Sequence, residues 1–216
     1  MPRLREALVF EGGGAGIDTW KAHAWGIERL WWEASDPVAS KESLAACRSR
    51  GIGVGLKMNG TGAVLAGRMH SELTLHGFGT STGPRTCGAM FDDELHRPED
   101  TFELLRSWRT FRPTRYTILT FEPFQGGLFA SVPELVHAIN VDPNLIVVPF
   151  AYMDLAGDQL YPAWAPAAID DLVAAGILRE RISIFIGVKT GVQISFGWSG
   201  ILYGFAGLPA TPPTTL

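Results

Sequence analysis

Cysteine and long apolar runs are scarce in this 216-residue chain, and each scarcity excludes a class of protein. Two cysteines, Cys47 and Cys87, are too few for a disulfide framework or a four-ligand zinc site. No uninterrupted apolar run approaches the roughly 20 residues that a membrane-spanning helix needs. Glu6 and Glu11 interrupt the N-terminal region before the apolar core of a signal peptide is complete. We therefore expect neither a membrane protein nor a classically secreted one.

Basic residues are also in the minority, with Lys+Arg 18 against Asp+Glu 22 and a net charge of -4. Without a basic field to attract phosphate backbones, nucleic-acid binding is not expected. The chain is instead rich in glycine (25) and tryptophan (7), and its 46% hydrophobic and 19% charged residues are ordinary for a globular domain. The length favours a single domain, which we predict over residues 1–208, followed by a Pro/Thr-rich tail at 209–216.

Eight short apolar runs alternate with longer amphipathic stretches along the chain. Such runs are typical of parallel strands buried on both faces, and they lie at 7–10, 27–32, 52–56, 88–91, 116–121, 145–148, 182–186 and 201–205. Helices are predicted at 18–26, 40–50, 98–111, 133–140 and 165–176. The alternation predicts a compact (β/α)8 TIM barrel, in which residues 60–86 hold the third helix and a long loop insertion. An open doubly wound sheet, which would not need the eighth strand, is the alternative.

Polar residues follow the predicted strands at one end, where barrel enzymes carry their active sites. Asp92 and Glu94 lie two residues apart and therefore share a face, and Glu122 follows the next strand. Such carboxylates suit glycoside hydrolysis, because a charged neighbour raises the pKa of a catalytic acid. Alternatively, the acidic cluster at 92–94 precedes a helix only to favour its N-terminus. The residues expected to bind substrate at this end are Glu11, Glu33, Asp36, Lys57, Asn59, Gln125, Tyr152 and Asp154.

Two other patterns, a glycine run and a set of histidines, give little support for a phosphate site or a metal site. The glycine run at 12–14 follows the first strand but lacks the G-x-G-x-x-G spacing, so a tight turn is favoured over a phosphate site. The histidines with nearby acidic residues match no metal-ligand spacing, and they are His70, His76 and His96. We therefore expect no metal and no cofactor.

Aromatic and charged residues differ between the two ends of the predicted strands. Near the functional end, candidate platforms for sugar rings are Trp31, Trp32, Tyr152 and Trp164, with core packing as the alternative for the tryptophans. At the opposite end we expect helix-capping glycines and surface charges such as Arg115, Asn144 and Arg181. This asymmetry favours one end of the strands as the site.

The segment GAMFDDE at 88–94 resembles the strand-four D-x-E signature of barrel glycoside hydrolases in the lysozyme- and chitinase-like group. The later pattern at 108–109, 112–115 and 120–127, which ends in TFEPFQGG, resembles barrel domains in tail proteins of phages that infect actinobacteria. The first resemblance implies that Glu94 is the general acid and that Asp92 is its partner. Enzymes of this kind with a strand-seven nucleophile need a carboxylate where this chain has Val188-Lys189, and Glu122 is the candidate to replace it as base or nucleophile.

Together these observations predict a glycoside hydrolase-like domain of a phage minor tail or tail-tip protein, located in the virion. We expect it to bind host cell-wall or surface polysaccharide and, if it is an active enzyme, to hydrolyse it. Other tail proteins and further copies of the chain are expected as partners, with no nucleic acid and no membrane. The alternatives are a non-catalytic structural tail protein and a free-standing cytoplasmic glycosidase.

Overall fold

A computed structural model describes residues 5–9, 19–33, 46–47, 49–75, 88–92, 97–149, 164–183, 185–187 and 200–203. The strands are β1 (Arg5–Val9), β2 (Arg29–Glu33), β3 (Gly53–Asn59), β4 (Gly88–Asp92), β5 (Thr117–Phe121), β6 (Leu145–Pro149), β7 (Phe185–Gly187) and β8 (Gly200–Tyr203). The helices are α1 (Thr19–Ala24), α2 (Gly62–Leu75), α3 (Pro98–Phe111), α4 (Gly126–Ser131), α5 (Pro133–Val141) and α6 (Trp164–Ala174), with a 3-10 turn at Arg179–Arg181. Each of the eight predicted strands overlaps an observed one.

The strands form one parallel sheet in the order β6-β5-β4-β3-β2-β1-β8-β7. Across the sheet the strand number falls by one at each step, and after β1 the sequence continues with β8 and β7 in the same direction. In a doubly wound sheet the strand order would instead reverse at a switch point. At the outer strand, Val147 of β6 forms an isolated parallel bridge with Ile182, and the Ser183 amide donates to the Val147 carbonyl at 2.9 Å. Strands β2 to β6 and their helices thus make a parallel α/β half-barrel, and three more strands extend the same sheet.

Local sequence explains why α3 begins and ends where predicted. Pro98 occupies the first turn, where its missing amide hydrogen costs no helical hydrogen bond, together with Glu99 and Asp100. Arg109 lies in the last turn, so charges of both signs complement the helix dipole. In the predicted insertion at 60–86, α2 follows β3 almost directly and extends to Leu75, whereas 76–87 lie outside the described residues.

Alternation along the strands separates two apolar layers. The outer layer joins the sheet to the helices, with Leu56, Phe91 and Leu119 facing side chains such as Trp108 of α3. The inner layer consists of Trp31, Met90, Ile118 and Val148.

Trp31 fills its space because two neighbouring strands carry glycine beside it. A β-carbon at Gly88 would lie 2.5 Å from the indole ring, and one at Gly55 would also collide with it. The Trp31 side chain is fully buried. Trp31 is therefore a core residue, and the interpretation of it as a sugar platform is wrong.

Candidate functional site at the carboxyl ends of the strands

Four polar side chains meet at the carboxyl ends of β3, β4 and β5. Lys57 and Asn59 lie near the end of β3, Asp92 is the last residue of β4, and Thr120 is the penultimate residue of β5. The parallel register pairs Asn59 with Asp92 and Asp92 with Thr120. Because Asp92 and Thr120 alternate with outward-facing Phe91 and Leu119, they belong to the inner face of the sheet.

The Asp92 carboxylate has a partner on each oxygen. The Lys57 ammonium nitrogen lies 2.7 Å from Oδ2 of Asp92. The Thr120 hydroxyl donates to Oδ1 at 3.0 Å. The Lys57 and Asp92 side chains are only 4% and 8% exposed, so each buried charge has the counter-charge that burial requires.

Asn59 connects this buried pair to the surface. The Lys57 ammonium donates to Oδ1 of Asn59 at 3.1 Å, and Asn59 is an exposed residue. A ligand at the rim would therefore meet Asn59 first and the Lys57–Asp92 pair beneath it. We call Lys57, Asn59, Asp92 and Thr120 the rim cluster.

The predicted site residues fall into two groups that the structure describes and a third group that it does not describe. Lys57, Asn59 and Asp92 are brought into direct contact in the rim cluster. Glu33 ends β2 and pairs in register with Lys57, while Glu122 and Gln125 lie in the loop that follows β5. Outside the described residues lie Glu11, Asp36, Glu94, Tyr152 and Asp154.

Thr120 was not among the residues predicted from the sequence. Its β5 run reads as a continuous apolar strand with threonines at 117 and 120. The signal that could have found it is the two-residue period, which places Thr120 on the same face as Ile118 and nearer the carboxyl end. Its partner could not be found this way, because the pairing with Asp92 depends on the register between strands.

The loop after β5 presents one carboxylate to solvent and is fixed at its far end. Glu122 directly follows β5 and is exposed. At the start of α4, the Gly126 amide donates to Oδ2 of Asp171 at 2.6 Å, which joins the loop to α6. A β-carbon at Gly126 would approach the Asp171 backbone oxygen to 2.5 Å, so glycine is needed for this close contact.

A second buried polar group, the amino-end cluster of Glu6, Arg29, Trp31 and Tyr116, lies at the opposite ends of the strands. Glu6 accepts from Nη1 of Arg29 at 3.2 Å and from the Trp31 indole nitrogen at 2.5 Å. The Arg29 guanidinium lies 4.2 Å from the centre of the Tyr116 ring. Burial raises the pKa of Glu6 against the opposing effect of Arg29, and burial beside Glu6 raises the pKa of Tyr116 well above its ordinary value.

The expectation of surface charges at this end is wrong for Arg115, which is buried. Its backbone carbonyl accepts a 2.7 Å hydrogen bond from Nη1 of Arg109, whose guanidinium also pairs with Asp142. The sequence pattern missed this because an arginine between a helix and a strand usually lies on the surface.

Reactive groups elsewhere in the described part of the chain are few. Cys47 is fully buried, and this burial raises the pKa of its thiol to about 11. His70 stacks on Phe111 with ring centres 4.8 Å apart, and desolvation, assisted by Arg112, lowers its pKa. Over the described ranges, no three His, Cys, Asp or Glu residues cluster as metal ligands, and no helix could span a membrane.

No family model matches the chain, and no curated protein is similar to it. Solved structures do resemble it. An HpcH/HpaI aldolase from Desulfitobacterium hafniense aligns with a TM-score of 0.55 and 10% identity, over 93% of this chain and 85% of that one. A 2,3-dimethylmalate lyase of the PEP mutase/isocitrate lyase superfamily aligns with a TM-score of 0.53 and 13% identity, over 94% and 76%.

The spore cortex-lytic enzyme SleL from Bacillus megaterium aligns with a TM-score of 0.58 and 12% identity. The alignment covers 87% of this chain and 52% of SleL, so this chain spans about half the length of that enzyme. These likenesses show the fold alone. The fold is TIM-barrel-like, and the position of the rim cluster is the one that such folds use for chemistry.

Proposed function

We propose that this chain is a glycoside hydrolase-like domain that binds a cell-surface glycan and cleaves it, on a sheet that closes into a full (β/α)8 barrel. The observation that carries the proposal is the Lys57–Asp92 pair, buried at the carboxyl end of β4 at 2.7 Å. Asp92 is the first acid of the D-x-E segment, and a polar pair buried at this end of a barrel strand is typical of a site rather than of a core.

The contacts of Asp92 determine which role it can take. Lys57 and Thr120 occupy both carboxylate oxygens, which fixes the orientation of Asp92 and leaves it poorly placed to deliver a proton. We therefore assign the general acid to Glu94, two residues further along the chain, and a positioning role to Asp92. Glu122 supplies the second carboxylate, as base or nucleophile, since it is exposed at the end of the adjacent strand β5.

Substrate contacts are proposed around this centre. Asn59 is exposed and already hydrogen-bonded to Lys57, so its amide can recognise a sugar hydroxyl without disturbing the buried pair. The other proposed contacts are Glu11, Glu33, Asp36, Gln125, Tyr152 and Asp154.

The setting of the protein is proposed on the sequence resemblance at 108–109, 112–115 and 120–127. We infer that the domain belongs to a phage tail or tail tip, faces the wall polysaccharide or peptidoglycan of an actinobacterial host, and assembles with other tail proteins. The fold likeness to a cortex-lytic enzyme is compatible with a cell-wall substrate. It does not bear on whether the domain is part of a virion.

The experiment measures the release of reducing ends from purified actinobacterial peptidoglycan and cell-wall polysaccharide. Glu94→Gln should abolish release while glycan binding in a pull-down is kept, and Glu122→Gln should reduce release at least a hundredfold. Glu103→Gln is the matched control, because Glu103 is a half-exposed carboxylate on α3 that pairs with Arg106 away from the strand ends.

Binding without release by the wild type would leave a glycan-recognition domain and exclude hydrolysis. Neither binding nor release would exclude the proposal and favour a structural tail protein.

A further inference from the structure

The loop between β5 and α4 holds an aromatic residue in an unusual backbone conformation. Phe124 has a φ of 62°, and within the described ranges it is the one residue other than glycine with a positive φ. Bulky side chains avoid this region because the β-carbon crowds the following carbonyl. Such a conformation persists only where the surrounding structure imposes it, and it occurs most often at functional sites.

Burial does not explain why a phenylalanine occupies this position. Phe124 is 50% exposed, although a large apolar side chain is normally placed where it can be removed from water. Glycine would adopt the same φ without strain. The exposed ring is thus held at a backbone cost that its own burial offsets only in part.

The structure on both sides of the loop sets the position of the ring. On one side, Phe121 ends β5 in register with Pro149 of β6. On the other side, Gly126 is hydrogen-bonded to Asp171 of α6 at 2.6 Å. Only four residues span these two fixed points, so the ring is presented from a short loop at the carboxyl end of the sheet.

We propose that Phe124 is a substrate-binding residue whose ring stacks on the apolar face of a sugar, in a subsite beside Glu122. The inference rests on the proposed function and deepens it by assigning a binding residue. The axial C–H groups of a pyranose form an apolar face that matches a flat aromatic ring, and Glu122 lies two residues before Phe124 on the same loop. Trp31, an aromatic candidate from the sequence, is buried and cannot serve.

Three substitutions separate a binding role from a packing role. Phe124→Gly removes the ring and accepts the positive φ, so we expect an unchanged or higher melting temperature together with at least a tenfold loss of glycan affinity. Phe124→Ala removes the ring but keeps the strain, and it should lose the same affinity. Phe124→Trp keeps a flat ring and should bind within threefold of the wild type.

Phe111→Ala is the matched control. Phe111 is 42% exposed, and it ends α3 at the amino-end side of the sheet, so its removal should leave glycan affinity unchanged. The probes are purified actinobacterial peptidoglycan in a pull-down and the soluble cell-wall polysaccharide fraction in calorimetric titration.

Two results would overturn the inference alone. Phe124→Gly could bind as tightly as the wild type while Glu94→Gln still abolishes release, which would leave the proposed function standing. Phe124→Gly could instead lower the melting temperature by several degrees, which would make the ring a packing residue. If the wild type binds neither probe, the proposed function and this inference both fail.

Discussion

The inner face of the sheet carries two buried ion pairs at opposite ends, and their surroundings differ. In the amino-end cluster, Glu6 and Arg29 are enclosed by the rings of Trp31 and Tyr116, and the two charged side chains are 3% and 1% exposed. In the rim cluster, Lys57 and Asp92 are linked to Asn59, which is exposed. The first pair is closed off by aromatic rings, whereas the second leads to solvent.

We infer from this difference that the two pairs have different roles. We infer that the pair beside the two rings contributes to the fold, because its charged groups are 1% and 3% exposed. A pair with an exposed polar neighbour can meet a ligand, and it lies at the end of the strands where barrel enzymes place their chemistry. Substitutions at the amino end should therefore alter stability, and under the proposed function we expect substitutions at the rim to alter binding and catalysis.

The largest effect on stability is expected from Arg29→Met. This change leaves Glu6 buried without its counter-charge and should lower the free energy of unfolding by about 3–5 kcal/mol. Chemical denaturation measures the loss. The double variant Glu6→Gln with Arg29→Met should recover most of it, because no buried charge remains. Equal losses in the single and double variants would contradict an unpaired buried charge on Glu6 as the cause of the loss.

A smaller loss of stability, with a larger loss of function, is expected from Lys57→Met. Asp92 keeps its hydrogen bond from Thr120, and its side chain is slightly more exposed than that of Glu6 (8% against 3%), so we expect a loss of about 1–3 kcal/mol. Reducing-end release should fall at least tenfold, since Asp92 is no longer held in place. Full release by a folded Lys57→Met variant would remove the rim cluster from the mechanism.

The amino-end cluster should also give the protein a pH-dependent stability. Burial raises the pKa of Glu6 above its ordinary value of 4.5, so the folded state holds this proton more tightly than the unfolded state does. The corresponding stability is complete below pH 4.5 and is lost as the pH rises through the folded pKa. The measurement is the melting temperature of the wild type minus that of Glu6→Gln, from about pH 4 to 8. This difference should fall as the pH rises. A constant difference would contradict the raised pKa.

The smallest effect is expected where the same kind of ion pair lies on the surface. Glu103 and Arg106 on α3 are 46% and 67% exposed and 2.7 Å apart. Because solvent screens exposed charges, Glu103→Gln should change the free energy of unfolding by no more than about 0.5 kcal/mol. Denaturation under the conditions used for Arg29→Met provides the measurement, and a loss near that of Arg29→Met would show that burial is not what separates the pairs.

Much of the fold could be predicted because strands and helices are encoded locally. The eight apolar runs located the strands, and Pro98 with Arg109 located α3. The apolar runs also showed where β3 and β4 end. For this reason Lys57, Asn59 and Asp92 were predicted to lie together at one edge of the sheet.

The contacts within each cluster could not be predicted, because they depend on the register between strands. Lys57 bonds to Asp92 although its register partner on β4 is Met90, and no sequence spacing reveals this diagonal contact. Arg29 lies at the start of β2, inside a run that reads as apolar, so its pairing with Glu6 across 23 residues was missed. Buried polar pairs of this kind are evident only once the strands are assembled.

The contact between Gly126 and Asp171 has a consequence for how the sequence can change over time. The two residues are 45 positions apart, and a β-carbon at 126 would approach the Asp171 backbone as closely as its carboxylate. Neither replacement of the aspartate nor a shift of its side chain would therefore accommodate alanine at 126. We expect glycine to be retained at position 126 in relatives that keep the packing of α4 against α6. We expect position 171 to vary only among residues whose side chains can accept a hydrogen bond from the amide of residue 126.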